Sequence, residues 1–388
     1  MTVISYKQVN LSFIKNSIFT LGMYFWQLYN ILFLTDFAKY HNAELTLLRV
    51  SGLIIILSSF MILDIKKFNV RYLFFIMFCV FLLLNNWKIA LQSSWFDLII
   101  IVFAGSNIDF DFFLKRFLAF SVIVYGSIVT LALLKIIPND MVIIGLARVR
   151  YGLGFSWPSY IAHELVTITA AFIWVFKEKA NKFILLLLFI INIFVYRLTD
   201  TKFPFIIVLC SILAFFVIKK VRFGDRMKKI VHVFISVLPG ILTFLIYRLS
   251  LNSSNHPALD VLFSQRLSLG NQAINQYPIK MFGQPVIVNV QKSIIQNYFT
   301  IDSSYLRYLV CFGLISTLLI VLIMSISIFK ILNNKDLFIA LVLAIVLIEG
   351  FSDPWLFNAG YTPFIILLMS RAFFKVDKKI ESNEGMSL

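Results

Sequence analysis

Two stretches of this chain are almost uniformly apolar: FILLLLFIINIFVY at 183–196 and LISTLLIVLIMSISIF at 314–329. About 20 apolar residues span the hydrocarbon core of a bilayer. Only 14% of the residues are charged, whereas soluble domains carry roughly a quarter. Backbone groups in lipid must be hydrogen-bonded within the protein, and the apolar–polar alternation of barrel strands is absent. The sequence therefore predicts an all-α, polytopic integral membrane protein.

The apolar runs predict about twelve transmembrane helices in one membrane domain that covers residues 1–388. The first run is long and aromatic and lacks a small-residue cleavage site, so it is expected to be retained as a helix. The three cysteines lie inside apolar runs and are expected to be small buried hydrophobic residues. The predicted helices are Asn16–Asp36, Leu45–Leu63, Arg71–Leu84, Leu91–Ser106, Arg116–Ile136, Ser159–Phe176, Phe183–Tyr196, Phe203–Ile218, Ile230–Leu249, Tyr305–Phe329, Leu337–Glu349 and Tyr361–Phe374.

The formal net charge of +16 is attributed to membrane topology, and no nucleic-acid partner is expected. Alternate connections are basic, above all KKVRFGDRMKK at 219–229. Cytoplasmic loops carry an excess of Lys and Arg, so both termini are predicted to be cytoplasmic. The polar segments 137–158 and 250–304 then become extracytoplasmic loops, and the second, between the predicted ninth and tenth helices, is the larger.

The predicted outer face nevertheless retains cations, which short outer loops usually avoid. Retained cations indicate an anionic ligand, and the planar fork of arginine suits phosphate. No nucleotide-binding or metal-binding motif is present, which favours a lipid phosphate or diphosphate. The alternative is that these residues are merely solvated. Arg197 and Arg248 end predicted helices, where a cation stabilises the helix dipole. The outer cations are Arg148, Arg150, Arg197, Lys202, Arg248, Arg266, Lys280 and Lys292.

The larger loop shows internal order. Apolar residues between Leu259 and Leu269 recur near helical spacing, which predicts a short amphipathic helix at the membrane interface. Asp302 or Ser303 is positioned to cap the helix that follows. The loop is therefore expected to fold over the outer ends of the helices.

Three sequence elements resemble O-antigen and capsular or exopolysaccharide polymerases of the Wzy type. LFSQRLSLGNQAINQY…MFGQPV followed by YFTIDSSYLRYLVCFGLI is similar to the loop and re-entry signature of that family. RVRYGLGFSWPSYIAHEL resembles its Arg…Gly-Phe-x-His-Pro-Asn element, and YRLTDTKFPFIIVL resembles its Tyr…Thr-x-(Ser/Thr)-(Arg/Lys) element. The elements cover about a quarter of the chain in the order of the family. The sequence departs from it at Trp157-Pro158-Ser159, where the family favours His-Pro-Asn.

The resemblance implies a membrane glycosyltransferase of the bacterial cytoplasmic membrane, active at its outer face. Its donor and acceptor would be oligosaccharides on undecaprenyl diphosphate, with a flippase and a chain-length regulator as further partners. Neither a metal nor another cofactor is expected. Arg148, Arg150, Lys202 and Arg266 would contact the diphosphate, because positive charge stabilises a developing anion.

A general base would assist the attacking sugar hydroxyl. The candidates are His163, Glu164 and Asp302, with Asp200 as a further outer carboxylate; a dipole-stabilised Glu164 and a capping Asp302 are the alternatives. Two rival functions also stay open. One is an O-antigen ligase, which would transfer the glycan to another acceptor, and the other is a polysaccharide flippase or transporter.

Overall fold

The structure, a computed structural model, describes residues 2–61, 70–85, 95–144, 148–288, 299–334 and 336–374. These ranges contain fourteen α-helices and one antiparallel hairpin, in which β1 pairs with β2. The first elements are α1 Thr2–Phe33, α2 Asn42–Met61, α3 Val70–Asn85, α4 Trp95–Gly105, α5 Phe110–Leu133, β1 Met141–Ile144 and β2 Arg148–Tyr151. The others are α6 Ser159–Phe176, α7 Lys182–Thr199, α8 Lys202–Lys220, α9 Asp225–Leu251, α10 Pro257–Leu262, α11 Arg266–Gln276, α12 Ser304–Ile331, α13 Leu337–Glu349 and α14 Ile365–Ser370.

Seven helices are long and apolar enough to cross a bilayer: α2, α5, α6 with the turn after it, α7, α8, α9 and α12. Shorter apolar helices lie in α3, α4 and α13. Within the described residues, the prediction of a mostly helical chain with several helices able to span a membrane is confirmed. α6 is central, because 83% of its apolar window is buried compared with 28% for α7.

Local structure departs from the prediction in several places. The first helix begins at Thr2 instead of Asn16, and the helix predicted at Arg116–Ile136 is Phe110–Leu133. The last predicted helix, Tyr361–Phe374, is helical only over Ile365–Ser370, and turns occupy the residues before it. The smaller loop contains the unpredicted hairpin. Instead of one amphipathic helix, the larger loop forms α10 and α11, because Ser264 and Gln265 between them have φ of 55° and 66°. Cys210 is exposed on α8, while Cys79 and Cys311 are buried as expected.

The helix bundle has two chemically different ends. At one end α6 begins and α13 finishes; this is called the site end. At the opposite end Lys177, just after α6, donates through Nζ to Asp336 Oδ2 at 2.9 Å, immediately before α13. The basic α8–α9 connection lies at this opposite end too, because Lys219 Nζ donates to the Ala180 carbonyl at 3.3 Å.

α12 is broken at Gly313, where φ is +82°. Segment 280–284 of the larger loop enters the break. The N–H groups of Leu314 and Ile315 donate to the carbonyls of Lys280 and Met281 at 2.9 and 3.1 Å. A Cβ at residue 313 would lie 2.5 Å from the carbonyl carbon of Phe282, so only glycine fits. Irregular backbone within a membrane protein is tolerated where protein covers and pairs it, and here the pairing fastens the loop to the bundle.

Candidate functional site

Asp302 is free to bind a cation because its neighbour caps the helix. Ser303 is the N-cap of α12, and its Oγ accepts from the Leu306 N–H at 3.4 Å. Asp302 instead accepts from Arg266 Nε at 3.2 Å and from Thr300 Oγ1 at 3.1 Å. The sequence left either residue as the cap, and the structure assigns this role to Ser303.

Arg266 lies at the first position of α11, and a buried carboxylate fixes its backbone. Asp260 Oδ1 accepts from the N–H groups of Leu267 and Ser268 at 2.9 and 3.0 Å. The Arg266 side chain is 15% exposed and reaches inward, so that Nη2 lies 3.5 Å from Nε2 of His163. The guanidinium therefore lies between an outer carboxylate and a buried imidazole.

His163 is buried within the first turns of α6, where the sequence placed it. Its Nδ1 is hydrogen-bonded to Oε1 of Glu349, the last residue of α13, and lies 3.8 Å from Oδ1 of Asp353. An imidazole that faces a carboxylate carries its proton on the facing nitrogen, which leaves a lone pair on the other. The arrangement thus directs the basic Nε2 of His163 toward Arg266.

A small cavity beside His163 is lined by carboxyl groups. Glu164, Glu349 and Asp353 all face it. The Oε2 atoms of Glu164 and Glu349 are buried, and no hydrogen-bond partner for them occurs in the described parts of the chain. Aromatic rings complete its wall, contributed by Tyr160, Trp355 and Tyr361. This small cavity therefore presents hydrogen-bond acceptors and ring faces beside the His163 ring.

The carboxyl groups cannot all be ionised together. Buried like charges that share a site repel, and one of them keeps a proton. Burial raises the pKa of Asp353 to about 7, although His163 beside it acts in the opposite direction. Asp353 Oδ2 also accepts from the Trp355 N–H at 3.0 Å. Asp353, whose Oδ1 lies 3.8 Å from His163 Nδ1, is therefore a carboxyl group suited to exchange a proton near neutral pH.

The remaining predicted phosphate ligands lie elsewhere at the site end. Arg150 on β2 is 7% exposed; it donates to the Thr199 carbonyl at 2.7 Å and to Thr201 Oγ1 at 3.0 Å. It therefore joins the hairpin to the α7–α8 turn. Lys202 begins α8 beside that turn and is half-buried. The side chain of Arg148, like the whole of Lys292, falls outside the described residues.

Glu349 and Asp353 are site residues that the sequence analysis missed. Both lie in EGFSDPW, which begins at the end of an otherwise apolar helix. An ionisable residue at the end of a membrane helix tends to mark function, and this rule already selected His163 and Glu164. The same rule applied to α13 would have identified Glu349.

Comparisons with protein-family models, with curated proteins and with solved structures find no match to this chain. Among the described residues, no group of three or more His, Cys, Asp or Glu side chains has a geometry that could hold a metal ion. The site is therefore interpreted from its own residues.

Proposed function

We propose that the protein is a membrane glycosyltransferase that polymerises oligosaccharide repeat units carried on undecaprenyl diphosphate. The observation that carries the proposal is the linear arrangement Asp302–Arg266–His163–Glu349, in which a cation and an oriented imidazole meet at the site end. A sugar transfer from a diphosphate needs a cation for the leaving group and a base for the attacking hydroxyl. The three sequence elements that resemble the Wzy-type polymerases support the same reaction.

In the proposed reaction each of these residues has a defined role. The acceptor sugar hydroxyl attacks the anomeric carbon of the donor, and the bond from that carbon to the diphosphate oxygen breaks. Arg266 stabilises the departing diphosphate, and His163 Nε2 takes the hydroxyl proton. Glu349 orients the ring through Nδ1 and stabilises the imidazolium that forms. Because Arg266 Nη2 faces Nε2 in the free protein, its movement onto the diphosphate would also uncover the base.

The proposed topology places the site end outside the cell. The opposite end carries the six cations of residues 219–229, and five of these residues are exposed. The positive-inside rule assigns such a connection to the cytoplasm. Twelve spans with both termini cytoplasmic remain the proposed arrangement, with loop 250–304 over the outer surface.

Chemical labelling from outside the cell tests this topology. Gln272 on α11 and Lys220 at the end of α8 are both exposed. We expect Gln272→Cys to react with an impermeant thiol reagent in intact cells or protoplasts. Lys220→Cys, the matched control, should react only after membrane disruption, and the unmodified chain gives the background from native cysteines. The reverse pattern would place the candidate site in the cytoplasm.

Two other functions use the same features differently. An O-antigen ligase would need the same cation and base but a different acceptor. A flippase or transporter is favoured by one observation, the break of α12 at Gly313, because transporters bind substrates at broken helices. However, loop carbonyls already occupy the N–H groups after that break, and the cluster of His163, Glu349 and Asp353 lies at one end of the bundle, away from the break.

Product analysis separates these possibilities. Purified protein in vesicles, supplied with lipid-linked repeat units, should produce a ladder of longer glycans that stay on the lipid diphosphate, and EDTA should leave the ladder intact. Glycan found on a different acceptor would indicate a ligase. Lipid-linked units that move between leaflets without any new sugar bond would indicate a flippase. Turnover that EDTA abolishes and Mg²⁺ restores would contradict the metal-independent mechanism.

A further inference from the structure

From Ala340 to Glu349, α13 is buried except along one face. Between Ala340 and Glu349, the accessible residues are Leu341, Ala344 and Ile348, and Ile348 is 38% exposed. Spacings of three and four residues place these side chains on one face of a helix. They form a single apolar line, here called the α13 stripe.

The two helices beside α13 pack on it more than they pack on each other. α8 and α9 are consecutive in the sequence and both pack on α13, yet α8 and α9 do not pack on each other to a similar extent in the described part of the chain. A helix that two neighbours flank without covering stays accessible along the line between them. The α13 stripe therefore lies between α8 and α9, and the stripe together with these two flanking helices is called the cleft. The outer surfaces of both flanking helices are apolar, with Leu213 and Val237 exposed.

The cleft leads to the candidate site. Ile348 lies at the end of the stripe nearest the site end, and it directly precedes Glu349, which is hydrogen-bonded to His163. Above it, the ring of Phe263 lies between Phe203 at the start of α8 and Phe351 just after α13, with centroids 5.1 and 5.3 Å apart. Phe263 is followed three residues later by Arg266. An apolar surface and a buried cation thus adjoin at the site end.

We propose that this cleft binds the isoprenoid chain of a lipid diphosphate whose headgroup lies beside Arg266. The proposal rests on the proposed function for the class of lipid, and it adds the path by which the chain leaves the site. The stripe from Leu341 to Ile348 is about 10 Å long at 1.5 Å per residue. This is roughly a third of a hydrocarbon core of about 30 Å, so the cleft holds the part of the chain nearest the headgroup.

Selectivity for a polyprenyl diphosphate over a phospholipid must come from the shape of the cleft together with the charge of Arg266. Lipid tails are as apolar as the protein surface, so association within a bilayer depends on close packing and on polar contacts. A phospholipid could fill the cleft with an acyl chain, but its single phosphate offers less negative charge to Arg266 than a diphosphate does. The competition between these two lipids is therefore the decisive measurement.

Photocrosslinking of the full-length protein tests the path directly. The probe is a polyprenyl diphosphate without sugar, with a diazirine in the isoprene unit nearest the diphosphate, in phosphatidylglycerol vesicles. We expect saturable labelling of the peptide that contains Leu341 and Ile348, weakened at least tenfold by excess unlabelled polyprenyl diphosphate and by Arg266→Ala. Labelling spread over lipid-facing helices such as α7, or displaced equally well by added phosphatidylglycerol, would overturn the proposal.

A cleft-filling variant provides a second readout. Ala344→Phe adds a ring to the floor of the cleft, and we expect at least a tenfold loss of labelling. Leu187→Phe on α7 is the control, because this residue is 54% exposed and lies away from the cleft. Unchanged labelling in folded Ala344→Phe protein would count against the cleft; if that variant does not fold, the labelling map of the unmodified protein decides. Labelling of the peptide that contains Leu341 and Ile348 in a protein that makes no polymer would support lipid binding in the cleft and contradict the proposed polymerase function. Polymer synthesis without such labelling would support the polymerase function and contradict lipid binding in the cleft.

Discussion

Replacing Arg266 with alanine is expected to lower the rate of sugar transfer by about 100- to 1000-fold, the usual cost of removing one preorganised stabiliser of developing negative charge. The guanidinium is 15% exposed and contacts both Asp302 and His163. Its loss removes the cation that the leaving diphosphate needs and leaves Asp302 without this partner. The measurement is the rate of chain extension per molecule of folded protein in vesicles.

Two further variants define the role of this arginine. Arg266→Lys keeps the charge but loses the planar fork, so only part of the rate should return. Arg248→Ala is the matched control, because Arg248 is an exposed cation in the last turn of α9 at the same end of the bundle. Its rate should stay within about twofold of the unmodified protein, since surface substitutions away from special features change little. Normal polymer synthesis by the Arg266→Ala protein would show that Arg266 is not part of the catalytic site.

The sequence predicted the membrane helices well because the thickness of the bilayer fixes the length of an apolar run. α6 begins and ends at the predicted residues, Ser159 and Phe176. The segment before α14 was taken for part of a membrane helix because its composition is also apolar. There, Asn358 Nδ2 donates to Asn30 Oδ1 and Tyr361 Oη donates to the Asn30 carbonyl. Composition cannot distinguish an irregular segment held inside the protein from a helix in lipid.

The individual site residues were easier to predict than their contacts. His163, Arg266 and Asp302 were selected by charge at the predicted outer face, yet 103 positions separate His163 from Arg266. A single sequence contains no signal for such a pairing. The break of α12 was equally hidden, because a glycine such as Gly313 is tolerated in a membrane helix. The loop segment that fills the break, residues 280–284, lies 29 to 33 residues before Gly313.

The charge pattern of the site also explains why Glu349 matters although it never touches the reacting atoms. The carboxylate lies on the Nδ1 side of His163, opposite Arg266. In its ionised form Glu349 holds the proton on Nδ1 and offsets the positive charge of Arg266 beside the ring. Without a neighbouring negative charge, the Arg266 guanidinium would disfavour protonation of His163. An ionised Glu349 therefore allows Arg266 to act as a cation and His163 to act as a base in the same site.

Replacing His163 with alanine should lower kcat by about 100- to 10,000-fold, the range of general-base contributions. Glu349→Gln keeps an oxygen that can accept from Nδ1–H but removes the charge, so we expect an intermediate loss in kcat with little change in KM. His232→Ala is the matched control, because this buried histidine contacts the Phe329 carbonyl on α12, outside the site. Chain-extension rates at several substrate concentrations, combined with photocrosslinking of the polyprenyl diphosphate, separate the roles. His163→Ala should bind the probe normally, whereas Arg266→Ala should not. A His163→Ala protein that extends chains at the normal rate would assign the base to another residue, and a change confined to KM would make His163 a binding residue.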